Sequence, residues 1–326
     1  MRFRELTFYL GESLINGSLR STRGLWRTCV KDPSQLLSNR IERIRYPGPW
    51  ERQLSGDTAN RMISALLMGN DPFLVGRIGH TEGRIVGESN FCNNRFGRMT
   101  KKESHQYSGI FPVNKQLLTE FAGVYGSAIS QSDLLGFWQT SYQAKLLAKL
   151  YSQVALTPLA ALEPYLHAAP WSSSLKGRRV LVVHPFASTI RSQFELNRTR
   201  IFADQNVLPE MALQVLAPPQ TLAPLTGGFV TWLDALNYLT RSVLQTDFDV
   251  ALLGCGAYGL PLGAAIKAAG RQAIHLGGAL QVLFGIRGRR WEKIPSIAGL
   301  MNEYWVRPSE QETPVSAKLV DEGCYW

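Results

Sequence analysis

The string "LLGCGAYGLPLGAA" sets Gly254, Gly256 and Gly259 at the G-x-G-x-x-G spacing, after the apolar run "DVALL" and before an amphipathic stretch. In that context each glycine has a separate use. The first permits a tight turn, the second lets backbone N–H groups approach a pyrophosphate, and the third lets the following helix pack closely on the sheet. The helix then presents its positive end to the phosphates, and Pro261 suits its first turn. An NAD-binding loop also calls for a carboxylate on the ribose about 20 residues later. No Asp or Glu occurs between Asp249 and Glu292. The chemistry indicated is phosphate binding without the nicotinamide fingerprint, and a plain tight βα turn is the competing reading.

A second cluster, "HLGGALQVLFGIRGRRW", contains His275, Gly277, Gly278, Gln281, Arg287, Arg289, Arg290 and Trp291. Backbone N–H groups freed by glycine and guanidinium forks suit a pyrophosphate, and an indole suits stacking on a base or sugar. A solvated basic face and a core tryptophan fit the same residues. A third cluster, "GRIGHTEGR", puts Arg77, Gly79, His80, Glu82 and Arg84 directly after an apolar run. In an extended or turning loop, His80 and Glu82 would face one ligand or one metal. A salt bridge of Glu82 with Arg77 or Arg84 is the simpler alternative. His184 closes the run "VLVVH", a position for a general base or a phosphate ligand. Arg191 and Arg198, seven apart, share a helix face that suits either a phosphate or solvent.

The elements that must carry these groups alternate. Short apolar runs at 71–79, 133–140, 178–186, 212–220, 249–256 and 272–278 read as strands. Stretches at 59–69, 141–154, 232–246 and 260–270 read as helices. The alternation predicts an α/β fold, a Rossmann-like, largely parallel sheet flanked by helices. Ligands in such sheets lie outside the carboxyl ends of the strands, which is where the three clusters fall.

The rest of the chain sets limits. Its 326 residues are 45% apolar and 18% charged, a composition that excludes disordered and fibrous classes. The net charge of +10 suits anionic partners; no nucleic-acid-binding motif is present, so nucleic acid is not expected. Four widely spaced cysteines show no metal-ligand pattern and fit a reducing, cytoplasmic setting. No apolar run reaches the roughly 18 residues of a membrane span, and the N-terminus lacks the apolar core of a signal peptide. Residues 1–45 hold nine Lys/Arg against four acids, interleaved with large apolar side chains. They read as a basic N-terminal extension, either solvated or in peripheral contact with an anionic membrane at its inner face. The "YPGPW" at 46–50 joins this extension to an α/β domain over 46–326.

Four strings together resemble the GT-D-type bacterial glycosyltransferases: "FLVGRIGHTEGRIV", "VLVVHPFASTIRSQF", "LLGCGAYGLPLGAAIKAAGRQAIHLGGALQVLFGIRGRRW" and "NEYWVRPSEQETPVSAKLVDEGCYW". They span most of the chain from about residue 55 onward. The resemblance implies a GT-D-like fold and transfer of a sugar from a nucleotide-diphosphate sugar. The acceptor would be a glycan, lipid-linked or protein-linked, in surface polysaccharide or glycoprotein assembly. The family's acidic D-x-E loop falls on His80, Thr81 and Glu82, with histidine in place of the first acid. Histidine suits manganese or zinc better than magnesium, so manganese or another divalent metal on His80 and Glu82 is the implied cofactor. Glu82, His80 and His184 are the implied catalytic groups. Nucleotide-sugar binding is expected at Arg77, Gly79, Gly254, Gly256, Tyr258, Gly259, His275, Gly277, Gly278, Gln281 and Arg287. An NAD(P)-dependent oxidoreductase and a non-catalytic nucleotide-binding partner in glycan assembly are the alternatives. The Tyr304, Trp305, Tyr325 and Trp326 aromatics are expected to cap the core.

Overall fold

The computed structural model describes residues 46–138, 141–314, 317 and 323–326. The basic extension over 1–45, with its expected membrane contact, lies outside the described residues. Among the described residues, seven strands form one sheet: β1 (Phe73–Arg77), β2 (Leu134–Phe137), β3 (Ala155–Pro158), β4 (Arg179–Val183), β5 (Ala212–Leu216), β6 (Val250–Leu253) and β7 (Gln272–His275). Every pairing is parallel, in the order β3-β2-β1-β7-β6-β4-β5. The architecture is the α/β, Rossmann-like sheet that the alternation predicts.

Helices cover both faces, which is why the inner strands are near-continuous apolar runs. Alternate residues of each strand enter opposite cores. Leu74, Leu135, Leu181, Leu253 and Ala273 face one layer, formed by α2 (His80–Phe91), α4 (Lys115–Ser130), α5 (Ser141–Lys149), α7 (Trp232–Leu244) and α8 (Gly259–Ala268). Phe73, Val75, Leu134, Val182, Leu252 and Ile274 face the other, formed by α1 (Gly56–Met68), α6 (Ala187–Ile201) and the segment after β7. Between α2 and α4 lies α3 (Arg98–Ser108), packed along α2.

Helix starts are specified locally. Ser55 accepts from the N–H of Thr58 to open α1, Asn114 accepts from Leu117 to open α4, and Thr231 and Asp234 form a capping box on α7. β3, α2, α3 and α4 are not among the elements that the sequence pattern predicts. β3 is only four residues long and ends in proline. α2 and α3 are obscured because they bury polar side chains: Thr81, Glu82, Glu88, Thr100, Ser104 and Ser108 break the apolar periodicity; α4 has the ordinary apolar stripe, burying Leu117, Leu118, Phe121, Ala122 and Tyr125.

The string "GHTEGR" is not an extended or turning loop. Gly79 has extended φ and ψ of −69° and 155° and serves as the N-cap, and His80 begins α2. Glu82 therefore stands in the first helical turn, where a carboxylate meets the positive end of the helix.

Candidate active site

The topology places a crevice at the carboxyl edge. β4 sends the chain through α6 to β5, and β6 sends it through α8 to β7 on the opposite side. Neighbouring strands whose connections diverge leave an opening above their ends. His184 follows β4 there and Gly254 follows β6; a Cβ at 254 would overlap the imidazole of His184 and sit 3.1 Å from the carbonyl oxygen of Gly277. Gly256, at φ 60°, adopts the left-handed conformation, and nothing lies within 4 Å of where its Cβ would be. A Cβ at Gly259 would overlap the His275 ring. The three glycines divide the work: Gly254 admits His184 and the Gly277 carbonyl, Gly256 makes the left-handed turn with an open side, and Gly259 permits close helix–strand packing.

Arg77, at the end of β1, links this loop to the other half of the sheet. Its Nη1 donates to the carbonyl of Leu276 at 3.2 Å, its guanidinium carbon lies 5.5 Å from the centre of the Trp138 ring, and its side chain passes over Gly277. Gln143 of α5 braces the neighbouring turns, accepting from the N–H of Trp138 at 2.7 Å and donating to the carbonyl of Gly79 at 3.2 Å.

Two buried carboxyls flank the guanidinium. Glu82 folds back over Gly79, where a Cβ would overlap its carboxylate. Burial pushes its pKa up; the helix amide, the Ser108 hydroxyl and the charge of Arg77 oppose the shift. The Tyr125 hydroxyl accepts from the N–H of Gly79 at 3.2 Å, and its pKa is raised by burial and by the Glu82 charge. On the other flank, Glu163 follows β3 on a 3₁₀ segment. Burial lifts it to about 7 against the opposing charge of Arg77 and a hydrogen bond from Tyr165. That hydroxyl donates to Glu163 Oε2 at 3.0 Å and lies 3.3 Å from the carbonyl of Ala279. Among the described residues the other oxygen, Oε1, has no protein partner.

The two site histidines are buried and neutral in complementary tautomers. The Phe186 N–H donates to Nδ1 of His184 at 3.0 Å, so the proton of the neutral ring is on Nε2. Nδ1–H of His275 donates to the Leu253 carbonyl at 3.1 Å, leaving Nε2 as the lone-pair nitrogen. Burial lowers both to about 3, with the charge of Arg77 adding to the effect at His275. His184 is consequently a hydrogen-bond donor rather than a ready base.

Other residues expected at the site are placed elsewhere. His80 is exposed, with Nε2 accepting from Arg84 at 2.6 Å, and Arg84 pairs with Glu103 at 3.0 Å. His80 and Glu82 point to different sides of α2 and are not brought onto one ion. Two positions apart on a helix are about 200° apart around its axis, unlike two positions on an extended loop. Among the described residues, no three His, Cys, Asp or Glu side chains gather as a metal-binding group. Tyr258 is buried, stacked on Trp232 at 5.1 Å with its hydroxyl 2.8 Å from that of Thr221. Gly278 lies under the Tyr325 ring. Gln281 is fully buried and donates from Nε2 to the carbonyls of Ile286, Arg287 and Tyr325. Arg287 donates to the Asn302 carbonyl at 2.9 Å. These three hold the chain's own C-terminal segment, and Trp291 and Trp305 are core residues. Arg191 and Arg198 each donate to a main-chain carbonyl, those of Val215 and Leu208.

Glu163, Tyr165, Trp138 and Ser108 are the site residues that sequence reasoning missed. The only local signal is a glutamate in an otherwise apolar stretch, "LAALEPYL".

No family model and no curated protein matches the chain. Solved structures do. One, a selenomethionine form of domain of unknown function 1792, is 14% identical and aligns over 69% of this chain and 78% of its own, with a TM-score of 0.40. A second, described as showing that the domain has a distinct glycosyltransferase fold, is 14% identical over 69% of this chain and 77% of its own, with a TM-score of 0.38. Among the described residues, no helix is long and apolar enough to cross a membrane.

Proposed function

We propose that the chain is a glycosyltransferase that takes its sugar from a nucleotide-diphosphate sugar. One observation carries this reading: an open left-handed glycine, Gly256, stands in a crevice whose wall runs through Gly254 and Gly277 to the guanidinium of Arg77. A diphosphate needs those two things, backbone approach at a helix start and a forked cation. The resemblance of four strings to GT-D-type enzymes supports the reading independently.

In the proposed reaction the acceptor hydroxyl oxygen bonds to the anomeric carbon, and the bond from that carbon to the diphosphate oxygen breaks. The electron pair leaves with the diphosphate, where Arg77, the glycine-loop amides and the Nε2–H of His184 offset the growing charge. The hydroxyl proton goes to a carboxylate. Glu163 is assigned this role because Oε1 has no protein partner among the described residues. Glu82 holds the start of α2 and balances Arg77. The acceptor class carried by the resemblance is a glycan, lipid-linked or protein-linked, of surface polysaccharide or glycoprotein assembly.

The test is calorimetric titration of the full chain with UDP, GDP, dTDP, CMP and NAD(H), each with and without manganese. Binding of one nucleoside diphosphate, weakened in Arg77→Ala, is the expected result. Binding of NAD(H) alone would replace this reading with a dehydrogenase, and binding of none with a non-catalytic partner. A manganese effect would restore the metal role of Glu82 that its present geometry does not support.

A further inference from the structure

α3 has two unlike sides. Its inner stripe, Thr100, Ser104 and Ser108 at i, i+4 and i+8, is buried against α2: Thr100 donates to Glu88 at 2.7 Å, and Ser108 hydrogen-bonds Glu82. Its outer side exposes Arg98, Lys101 and Lys102, with Arg95 just ahead of the helix. Among the described residues none of these four cations makes an ion pair. The neighbouring acids are already engaged: Glu103 with Arg84, Glu88 with Thr100 and the N–H of Gly97, and Asp234 with Thr231.

Apolar side chains are exposed on the same part of the molecule. Met99 is 60% exposed between Arg98 and Lys101. The loop after β5 leans on α3, with the carbonyl of Leu225 accepting from His105 at 3.2 Å and the N–H of Ala223 donating to the His105 carbonyl at 3.3 Å. That loop leaves Leu225 40% and Val230 82% exposed. Of nine large apolar side chains exposed among the described residues, five fall on α3, this loop and α7.

We propose that this surface seats the protein on an anionic lipid bilayer. The cations face lipid phosphates, and Met99, Leu225 and Val230 enter the boundary between headgroups and acyl chains. Tyr107 and Tyr238 are exposed there too, but Met99, Leu225 and Val230 are aliphatic, and tyrosines suit a headgroup layer; that mixture favours a bilayer over a polynucleotide, which rewards aromatic stacking on bases. The charged first turn of α3 lies beside Glu88, and the helix then runs back along α2 to end at Ser108 on Glu82, so a bilayer lying along α3 reaches from the charged turn towards the carboxyl edge. The inference concerns α3 and the β5–α7 loop, not the extension at 1–45, and it stands whether or not the transferase reading does.

The test is co-sedimentation of the full chain with vesicles of phosphatidylcholine alone and of phosphatidylcholine with phosphatidylglycerol. The protein is expected to bind only the anionic vesicles and to release with salt. At about fivefold in affinity per basic side chain, the triple variant Arg98→Ala, Lys101→Ala, Lys102→Ala weakens binding roughly a hundredfold. Val230→Asp weakens it while leaving the circular dichroism spectrum unchanged. Undiminished binding by the triple variant would move the contact to 1–45 and overturn the proposal. Equal binding to neutral vesicles, or binding of polyuridine with none to vesicles, would overturn it as well.

Discussion

The imidazole of His275 occupies the space that a side chain on residue 259 would need, so the third glycine of the loop and the last residue of β7 exist as a fitted pair. Gly256, three residues earlier in the same motif, meets nothing within 4 Å but holds φ at 60°. The two alanine variants should therefore fail differently. Gly259→Ala overpacks the helix–strand contact and is expected to cost about 1–3 kcal/mol in urea denaturation. Gly256→Ala is expected to cost about 1–2 kcal/mol through its left-handed backbone alone. It should weaken nucleoside diphosphate binding more than Gly259→Ala does, because its methyl enters the open crevice.

Arg77 separates charge from geometry. Arg77→Lys keeps the cation and loses the fork; Arg77→Ala loses both. Removing a charge-assisted contact is expected to weaken nucleoside diphosphate binding by about one to two powers of ten in the alanine variant. The lysine variant should fall between alanine and the parent chain. Arg77 pulls the Glu163 carboxyl down, so Arg77→Ala should also raise the Glu163 titration, read by carbon-13 carboxyl NMR.

The buried groups give stability a dependence on pH with opposing limbs. Glu163 is raised to about 7 from an ordinary 4.5, so between those values the folded chain holds a proton that the unfolded chain has released. Its stabilising contribution is complete below pH 4.5 and is lost as pH rises through 7, a change of about 3 kcal/mol. His184 and His275 are lowered to about 3 from 6.5. Their contribution is complete above pH 6.5 and is lost as pH falls towards 3, at about 1.4 kcal/mol per pH unit for each ring. The limbs overlap between pH 4.5 and 6.5, where the two rings gain more per pH unit than Glu163 loses, so on these three groups stability in urea denaturation should be greatest near pH 6.5. Glu163→Gln should gain about 3 kcal/mol on the parent chain between pH 4.5 and 7, whatever Glu82 contributes, since that carboxyl is common to both.

Glu312 reaches back from the C-terminal segment to the start of α6. Its carboxylate accepts from the Ser188 N–H at 2.6 Å, the Thr189 N–H at 3.2 Å and the Ser309 hydroxyl at 3.0 Å, and also from the Thr189 hydroxyl. Glu312→Ala removes an anion from a helix N-terminus and is expected to cost about 1–2 kcal/mol, seen as a lower melting temperature. Hydrogen exchange should show the first turn of α6 opening more readily in this variant.

The sheet was legible because parallel strands covered on both faces announce themselves as short apolar runs, as in "RRVLVV" and "DVALL". The glycine loop was legible because its spacing, its preceding strand and its following helix are contiguous in the chain. α2 and α3 were not, since α3 turns serine and threonine inward to hydrogen-bond α2, reversing the usual pattern.

The sequence by itself determined the α/β class, the position of the glycine loop between strand and helix and the strand-end placement of Arg77, His184 and His275, because each depends on residues adjacent in the chain. Only the tertiary structure decided which side chains share the crevice. It turned His80 outward to Arg84 and Glu82 inward to Ser108. It packed Tyr258 onto Trp232 and brought Glu163 from behind β3 to the flank of Arg77. Strand order and burial set those contacts, and neither is written in the spacing of any one segment.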